Sequence, residues 1–310
     1  MSTPVVSPSS IPSPSIADIS PYGYLPTKST CIIFVVLFGL STLLHFLVAV
    51  RYRIWWLIPT ACLAGGGEIV GWAGRLWSSE NVTAHTPFTM QIVATIIAPT
   101  PFIAAIFIIF ARLTERLGVC YSRLTPRWCK QDIIALIVQG AGGGIAADAT
   151  TVDGTNLGAN VMLAGIVFQL VAQLVFASFA TEYFIRFLKD KPIHEKTAHT
   201  RGGVPGPDGR PWNRKLQLMS IGVAVSTGFL IIRSIYRTVE LGDGWRGAVL
   251  RTQVYFSVFD GAMVVLAMWT LNLFHPGWLL YAAPSQLRAS MHSDGVELED
   301  SKRLSGASQV

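Results

Sequence analysis

Residues 31–50 read CIIFVVLFGLSTLLHFLVAV, an uninterrupted run without a single Asp, Glu, Lys or Arg. Wound as an α-helix, such a run rises about 30 Å, which matches the hydrocarbon core of a bilayer. Charge returns on both flanks, with Lys28 before it and Arg51 and Arg53 after it. Comparable apolar runs recur at about 54–74, 91–111, 132–150, 159–181, 216–236 and 254–274. Together they predict an all-α membrane protein, a bundle of seven transmembrane helices over residues 31–274. Composition agrees, since 51% hydrophobic against 14% charged residues is a balance that a water-soluble domain of this size struggles to hide. Residues 1–30 are rich in Ser and Pro, carry Lys28 as their one basic residue, and predict a disordered tail and not a signal peptide.

Orientation follows from the loops. Arg51 and Arg53 follow the first run, Arg112 to Lys130 hold five basic residues after the third, and Arg186 to Lys215 hold eight after the fifth. The alternate loops are poor in positive charge, with Arg75 after the second run, none in 151–158, and Arg237, Arg246 and Arg251 after the sixth. The positive-inside rule makes the rich set cytoplasmic, so the amino terminus lies outside and the tail 275–310 lies in the cytoplasm. Asn81-Val82-Thr83 is an acceptor sequon in a loop that this topology places outside, which makes Asn81 a candidate for glycosylation. The net charge of +6 is scattered between apolar segments and forms no stripe, so it argues for membrane orientation and against nucleic acid. The loop 182–215 contains Gly202 to Pro207, which cannot continue a helix; it reads as a solvated linker or as the surface for a cytoplasmic protein partner.

Charged groups inside a bilayer cost about 2.5–3.5 kcal/mol each on insertion scales, so those inside the spans are the natural functional candidates. Glu68 lies within the second span and Arg75 follows seven residues later, two turns along the same face. Arg233, Arg237 and Glu240 share a face at the end of the sixth span. Arginines there suit a phosphate or carboxylate headgroup and the Glu an amine, or the stripe pairs internally and snorkels to the interface. Asp260 is deep in the seventh span with no oppositely charged neighbour on its own helix, which predicts a partner elsewhere, Arg233 or Arg75. Asp132 and Asp148 bracket the fourth span near its ends. The pairs Gly67 with Gly71 and Gly140 with Gly144 read as close-packing surfaces between helices and not as a phosphate loop.

The usual parts of an enzyme are missing. Of the six histidines only His45 is clearly within a span, so a buried three-His zinc site is not available, and no metal, cofactor or catalytic residue is expected. Cys31, Cys62, Cys120 and Cys129 follow neither a disulfide framework nor a zinc spacing.

Taken together, these residues resemble the fungal lipid-translocating exporter family, seven-span proteins linked to aminocholesterol resistance and to export of sphingoid long-chain bases. The resemblance runs from Tyr24-Leu25-Pro26 to His275-Pro276-Gly277. It rests on Glu68 with Gly71 and Arg75, Gln131-Asp132 with Gln139-Gly140 and Gly142-Gly143, and Gly165 with Gln169. It rests further on Arg233 to Arg237 with Glu240, and on Phe259-Asp260. Gln253 and Ser257 depart from it, standing where an acidic residue and an aromatic are expected. The resemblance implies a plasma-membrane transporter or translocator of amphiphilic lipids such as long-chain bases, acting in lipid or toxic-compound stress; members differ in cargo, and some handle porphyrins. The ammonium of such a base would pair with Glu68, Glu240 or Asp260 while its tail stays among apolar helices or lipid. A seven-helix receptor or sensor of lipid stress fits the same topology.

Overall fold

The computed structural model describes residues 20, 22–81, 83–118, 121, 122, 152–191, 193, 213–243 and 247–281. The expected span 132–150, with Asp132, Asp148, Gly140 and Gly144, lies outside the described residues, as do Cys120, Cys129, the Gly/Pro-rich part of the 182–215 loop and most of both tails.

The first apolar run forms α1, Lys28–Tyr52, which ends where Arg53 turns into the left-handed region at φ 58° and its N–H caps Ala49 and Val50. Cys31, Phe34, Phe38, Ser41, His45 and Ala49 line its buried stripe, at helical spacings of three and four. Its other face exposes Ile32, Ile33, Val36, Leu40, Leu43 and Leu47. This is the inverse of a water-soluble helix, because the polar Ser41 and His45 point inward while the outward surface is continuous hydrocarbon.

The chain returns through a 3-10 turn, Trp55–Leu57, and a π-helical turn, Ile58–Cys62, into α2, Leu63–Glu80. Pro59 at the start of the π turn has no N–H to give to the preceding turn, which is the local reason the ladder changes pitch there. Next come α3, His85–Ile97, and α4, Pro99–Leu117, joined through Ala98 in a helical conformation so that the two act as one long rod bent at its proline. α5, Val152–Leu188, has 37 residues and rises about 55 Å, so it must tilt or project beyond a bilayer. α6 covers Arg214–Gly242. The last segment starts with a single turn, Gln253–Tyr255, passes through a π-helical stretch, Phe256–Ala262, and continues as α7, Met263–Leu273; a short α8, Pro276–Leu280, is capped by the His275 side chain, which accepts from the Gly277 N–H at 3.0 Å.

Five of these stretches are long and apolar enough to cross a membrane: Lys28–Tyr52, His85–Leu117, Asn156–Leu188, Arg214–Gly242 and Gln253–Leu280. The run expected at 54–74 is also helical, but it is not among the five, since α2 carries Glu68, Arg75 and Glu80 in its 18 residues. Glycines set how closely α2 meets its neighbours. A Cβ on Gly67 would lie 2.8 Å from Ala98 Cβ, and one on Gly71 would lie 2.5 Å from Thr95 Cγ2, so the pair read from the sequence is the groove that receives α3. Gly261 plays the same part for the last segment, which could not otherwise pass the Trp72 ring.

Several contacts gather one end of the bundle. Lys28 at the start of α1 pairs with Glu80 at the end of α2 at 3.2 Å, and Thr27 donates to Gln253 Oε1 at 3.3 Å. Ser20 and residues 22–24 strap this end, where the Tyr22 hydroxyl donates to Ser78 Oγ at 3.2 Å and Ser20 donates to the Tyr24 carbonyl at 2.8 Å. Gly23, at φ +73°, makes the turn and lies against the Arg251 side chain.

Candidate functional site

Of the charged residues singled out from the sequence, the six that are described lie at or beneath this strapped end and are buried: Glu68, Arg75, Arg233, Arg237, Glu240 and Asp260 are each at most 3% exposed. Four of them form a closed network. Arg237 grips Asp260 with both sides of its fork, Nε to Oδ1 and Nη2 to Oδ2, each at 2.7 Å, and its Nη1 donates to Glu240 Oε2 at 2.7 Å. Arg233 Nε stands 3.1 Å from the same Asp260 Oδ1. Asp260 therefore has Arg233 as a partner, as expected, but its principal partner is Arg237, and Arg75 is not one of its ion pairs. Tyr236 completes the network by donating to Glu240 Oε1 at 3.0 Å.

Local helix irregularities aim these groups at one another. Asp260 sits inside the π-helical stretch 256–262, together with buried Phe256 and Gly261. A π turn adds a residue per turn and so rotates the following side chains, a feature that often marks functional sites in helices. On the opposite wall, a proline frees an acceptor. In a regular helix the Thr95 carbonyl would receive the N–H four residues on, but that residue is Pro99, which has none. The freed carbonyl accepts from Arg233 Nη2, while Thr95 Oγ1 accepts from Arg237 Nη2 at 2.6 Å. Thr95 thus holds both arginines. The spacing of Thr95 and Pro99 inside an apolar span was the available signal for it, and Gln91, one turn earlier, was marked only as a polar residue in the same run.

Two of the six stand outside the network. Glu68 is fully buried, and neither carboxyl oxygen has a hydrogen-bond donor among the described residues. Asp260, Arg233 and Arg237 act on it through space, and the Trp72 indole N–H one turn on lies near it without hydrogen-bond geometry. Arg75 has no carboxylate partner among the described residues. Its Nη1 donates to Gln91 Oε1 at 3.4 Å, its Nη2 donates to the Tyr24 hydroxyl, and its Nε is buried without an acceptor. The guanidinium is enclosed by rings instead, with Cζ 4.4 Å from the centre of Phe256, 5.0 Å from Tyr22, 5.5 Å from Tyr24 and 5.9 Å from Trp72.

Arg75, Arg237 and Glu240 share the wall of one cavity with Tyr22, Tyr24, Gln91 and Phe256. Water-sized spheres can centre within about 30 Å³ of it, which is room for about two waters. Ile92, Leu241 and Leu250 complete its lining, so polar and apolar surface meet in the same space. Neither residue that departs from the family pattern lines it; Gln253 accepts from Thr27, and the Ser257 hydroxyl is buried without a partner.

A second polar pair, which the sequence did not suggest, is buried in the bundle away from this cluster. His45 of α1 and His275 before α8 have ring centres 5.2 Å apart, and beside them Asn272 donates to Ser41 Oγ at 2.6 Å. No group of three or more metal-ligating side chains is found among the described residues.

Residues 61–283 match the family described as RTA1 like protein. The sphingoid long-chain base transporter RSB1 of Saccharomyces cerevisiae is 28% identical over 287 residues, an alignment covering 83% of this chain and 73% of that protein. Protein RTM1 of the same species is 29% identical over 206 residues, covering 64% of this chain and 61% of that protein. Protein RTA1 is 25% identical over 315 residues, covering 92% and 91%. No solved structure matches the chain. The matched region contains Glu68, Arg75, Arg233, Arg237, Glu240 and Asp260, and with the five apolar helices it establishes that this chain belongs to the RTA1-like family of multi-pass membrane proteins.

Proposed function

We propose that the protein is a translocator of amphiphilic lipids, with sphingoid long-chain bases as the first cargo class, and that the headgroup is handled by the buried charged cluster. The observation that carries this reading is the combination of an apolar skin with a charged interior that opens on a headgroup-sized cavity. Burying six charged side chains in a membrane domain is a large desolvation cost, and a bundle built only to be stable would do better with apolar side chains. Glu68, whose oxygens have no hydrogen-bond donor among the described residues, and Glu240, on the cavity wall, are the carboxylates to meet an ammonium, Glu240 by exchanging its bond from Arg237 or Tyr236; Asp260 is committed to its two arginines. The named activity of RSB1 supports this cargo class.

The full topology belongs to the same proposal. Seven spans, with the amino terminus outside and the carboxyl terminus in the cytoplasm, put the strapped end, the cavity and the exposed Asn81 on the outer side of a plasma membrane. The 182–215 loop then faces the cytoplasm and any protein partner there. A sensor of lipid stress is the second reading, since a cavity that takes up a headgroup need not pass its chain. Purified protein in liposomes separates the two. A translocator moves a fluorescent long-chain base between leaflets in proportion to protein copies per vesicle, whereas saturable binding with flux equal to that of empty vesicles makes it a sensor.

A further inference from the structure

Among the described residues, charge pairing in the cluster leaves one cation over at the cavity. Arg233 and Arg237 are matched by Asp260 and Glu240, whereas the charge of Arg75 meets only neutral acceptors, an amide oxygen and a phenol. Buried guanidinium groups are ordinarily held by carboxylates, and a planar fork with a spare donor is shaped for two oxygens of one anion. The Arg75 Nε is such a spare donor, buried and without an acceptor. Burial holds the Tyr24 phenol above its ordinary pKa even with Arg75 beside it, so the oxygen now on Arg75 is uncharged. Tyr24 is itself half-buried and belongs to the strap of Ser20 and residues 22–24, not to a transmembrane helix. Its hydroxyl occupies the place an anionic oxygen would take, at the edge of a cavity with space for two more oxygen-sized groups.

We propose that Arg75, in its cage of Tyr22, Tyr24, Trp72 and Phe256, is a binding site for a phosphate group carried by a single-chain membrane lipid, and that the Tyr24 hydroxyl is its internal placeholder, displaced when the phosphate enters. The site goes beyond the reading of the protein as a base translocator, since it takes the opposite charge. Tyr22 and Tyr24 then stand over the cavity when no phosphate is present, and the Tyr24 hydroxyl gives way as it binds.

The test is equilibrium binding to the full-length protein in nanodiscs of uncharged lipid, with three probes: a single-chain lipid phosphate, an alkylamine of the same chain length, and inorganic phosphate. The lipid phosphate is expected to bind saturably. Tyr24→Phe keeps the ring and removes the competing oxygen, so it should tighten phosphate binding several-fold. Arg75→Gln should weaken it about tenfold or more, the loss expected for charge-assisted hydrogen bonds, without weakening alkylamine binding, which a neighbouring cation opposes. Inorganic phosphate binding as tightly as the lipid phosphate, with the same dependence on Arg75 and Tyr24, would support the phosphate site and name the free ion as its source. Phosphate affinity unchanged or lowered by Tyr24→Phe would overturn the proposal, as would Arg75→Gln weakening the amine as much as the phosphate. Tyr24→Phe alone decides the matter if Arg75→Gln does not fold. Because no flux is measured, failure here is distinct from failure of the translocator reading.

Discussion

Asp260 and Glu68 are both fully buried acids, yet their environments make opposite predictions. Asp260 is the hub of two guanidinium groups, so Asp260→Asn leaves buried positive charge unmatched and should lower stability by about 3–5 kcal/mol. Glu68 has no hydrogen-bond donor to lose, and Glu68→Gln should shift stability by less than about 1 kcal/mol. Thermal unfolding of the two variants in the same detergent checks the difference, and equal shifts would contradict the pairing described for Asp260. The strap gives a pH prediction. Burial raises the Tyr22 phenol from 10.0 to about 12. A group whose folded pKa is raised contributes its full stability below the unfolded value, and that contribution is lost as pH rises through the folded one. The strap should therefore stay docked below pH about 10 and release between about 10 and 12, seen as phenolate absorbance rising together with protease access to the amino-terminal tail. All six charged residues were visible in the sequence because charge inside an apolar run stands out by itself. Their pairing was not. Asp260 choosing Arg237 over Arg75 depends on how α6 and the last segment approach, and residue spacing along one helix carries no information about that.

Glycines and prolines decide the geometry of the helices. Gly66 and Gly71 are near neighbours on α2 with different surroundings: nothing lies within 4 Å of a Cβ at Gly66, whereas one at Gly71 meets Thr95. Gly66→Ala should be neutral or stabilising by up to about 1 kcal/mol, and Gly71→Ala should destabilise by about 1–3 kcal/mol through overpacking. Unfolding midpoints of the pair test whether α3 really lies in the glycine groove. Apolar runs foretold the helices well because length and hydropathy are local properties. The π-helical stretches at 58–62 and 256–262 were not legible in the same way, since length and hydropathy do not report helix pitch; the first begins at a proline without an N–H, and the second passes the Trp72 ring at Gly261. The second apolar run, 54–74, illustrates a different limit: its helix, Leu63–Glu80, starts and ends later and takes in Arg75 and Glu80, so the helix itself is not among the five stretches apolar enough to cross a membrane.

For the whole molecule, the inverted skin of α1 and the buried charge at one end describe a protein whose solvent is lipid and whose specificity lies inside. The proposed outward position of that end predicts a glycan on exposed Asn81, removed by Asn81→Gln and visible as a gel shift upon deglycosylation in a eukaryotic host. Whether the buried cluster handles a lipid headgroup is decided by the flux of a fluorescent long-chain base through proteoliposomes carrying wild type, Glu68→Gln or the surface control Glu80→Gln. Flux is expected in wild type and control, with a loss of about tenfold or more in Glu68→Gln and an unchanged unfolding midpoint. Flux at the wild-type rate in Glu68→Gln would mean that the buried carboxylate does not take part in moving the headgroup.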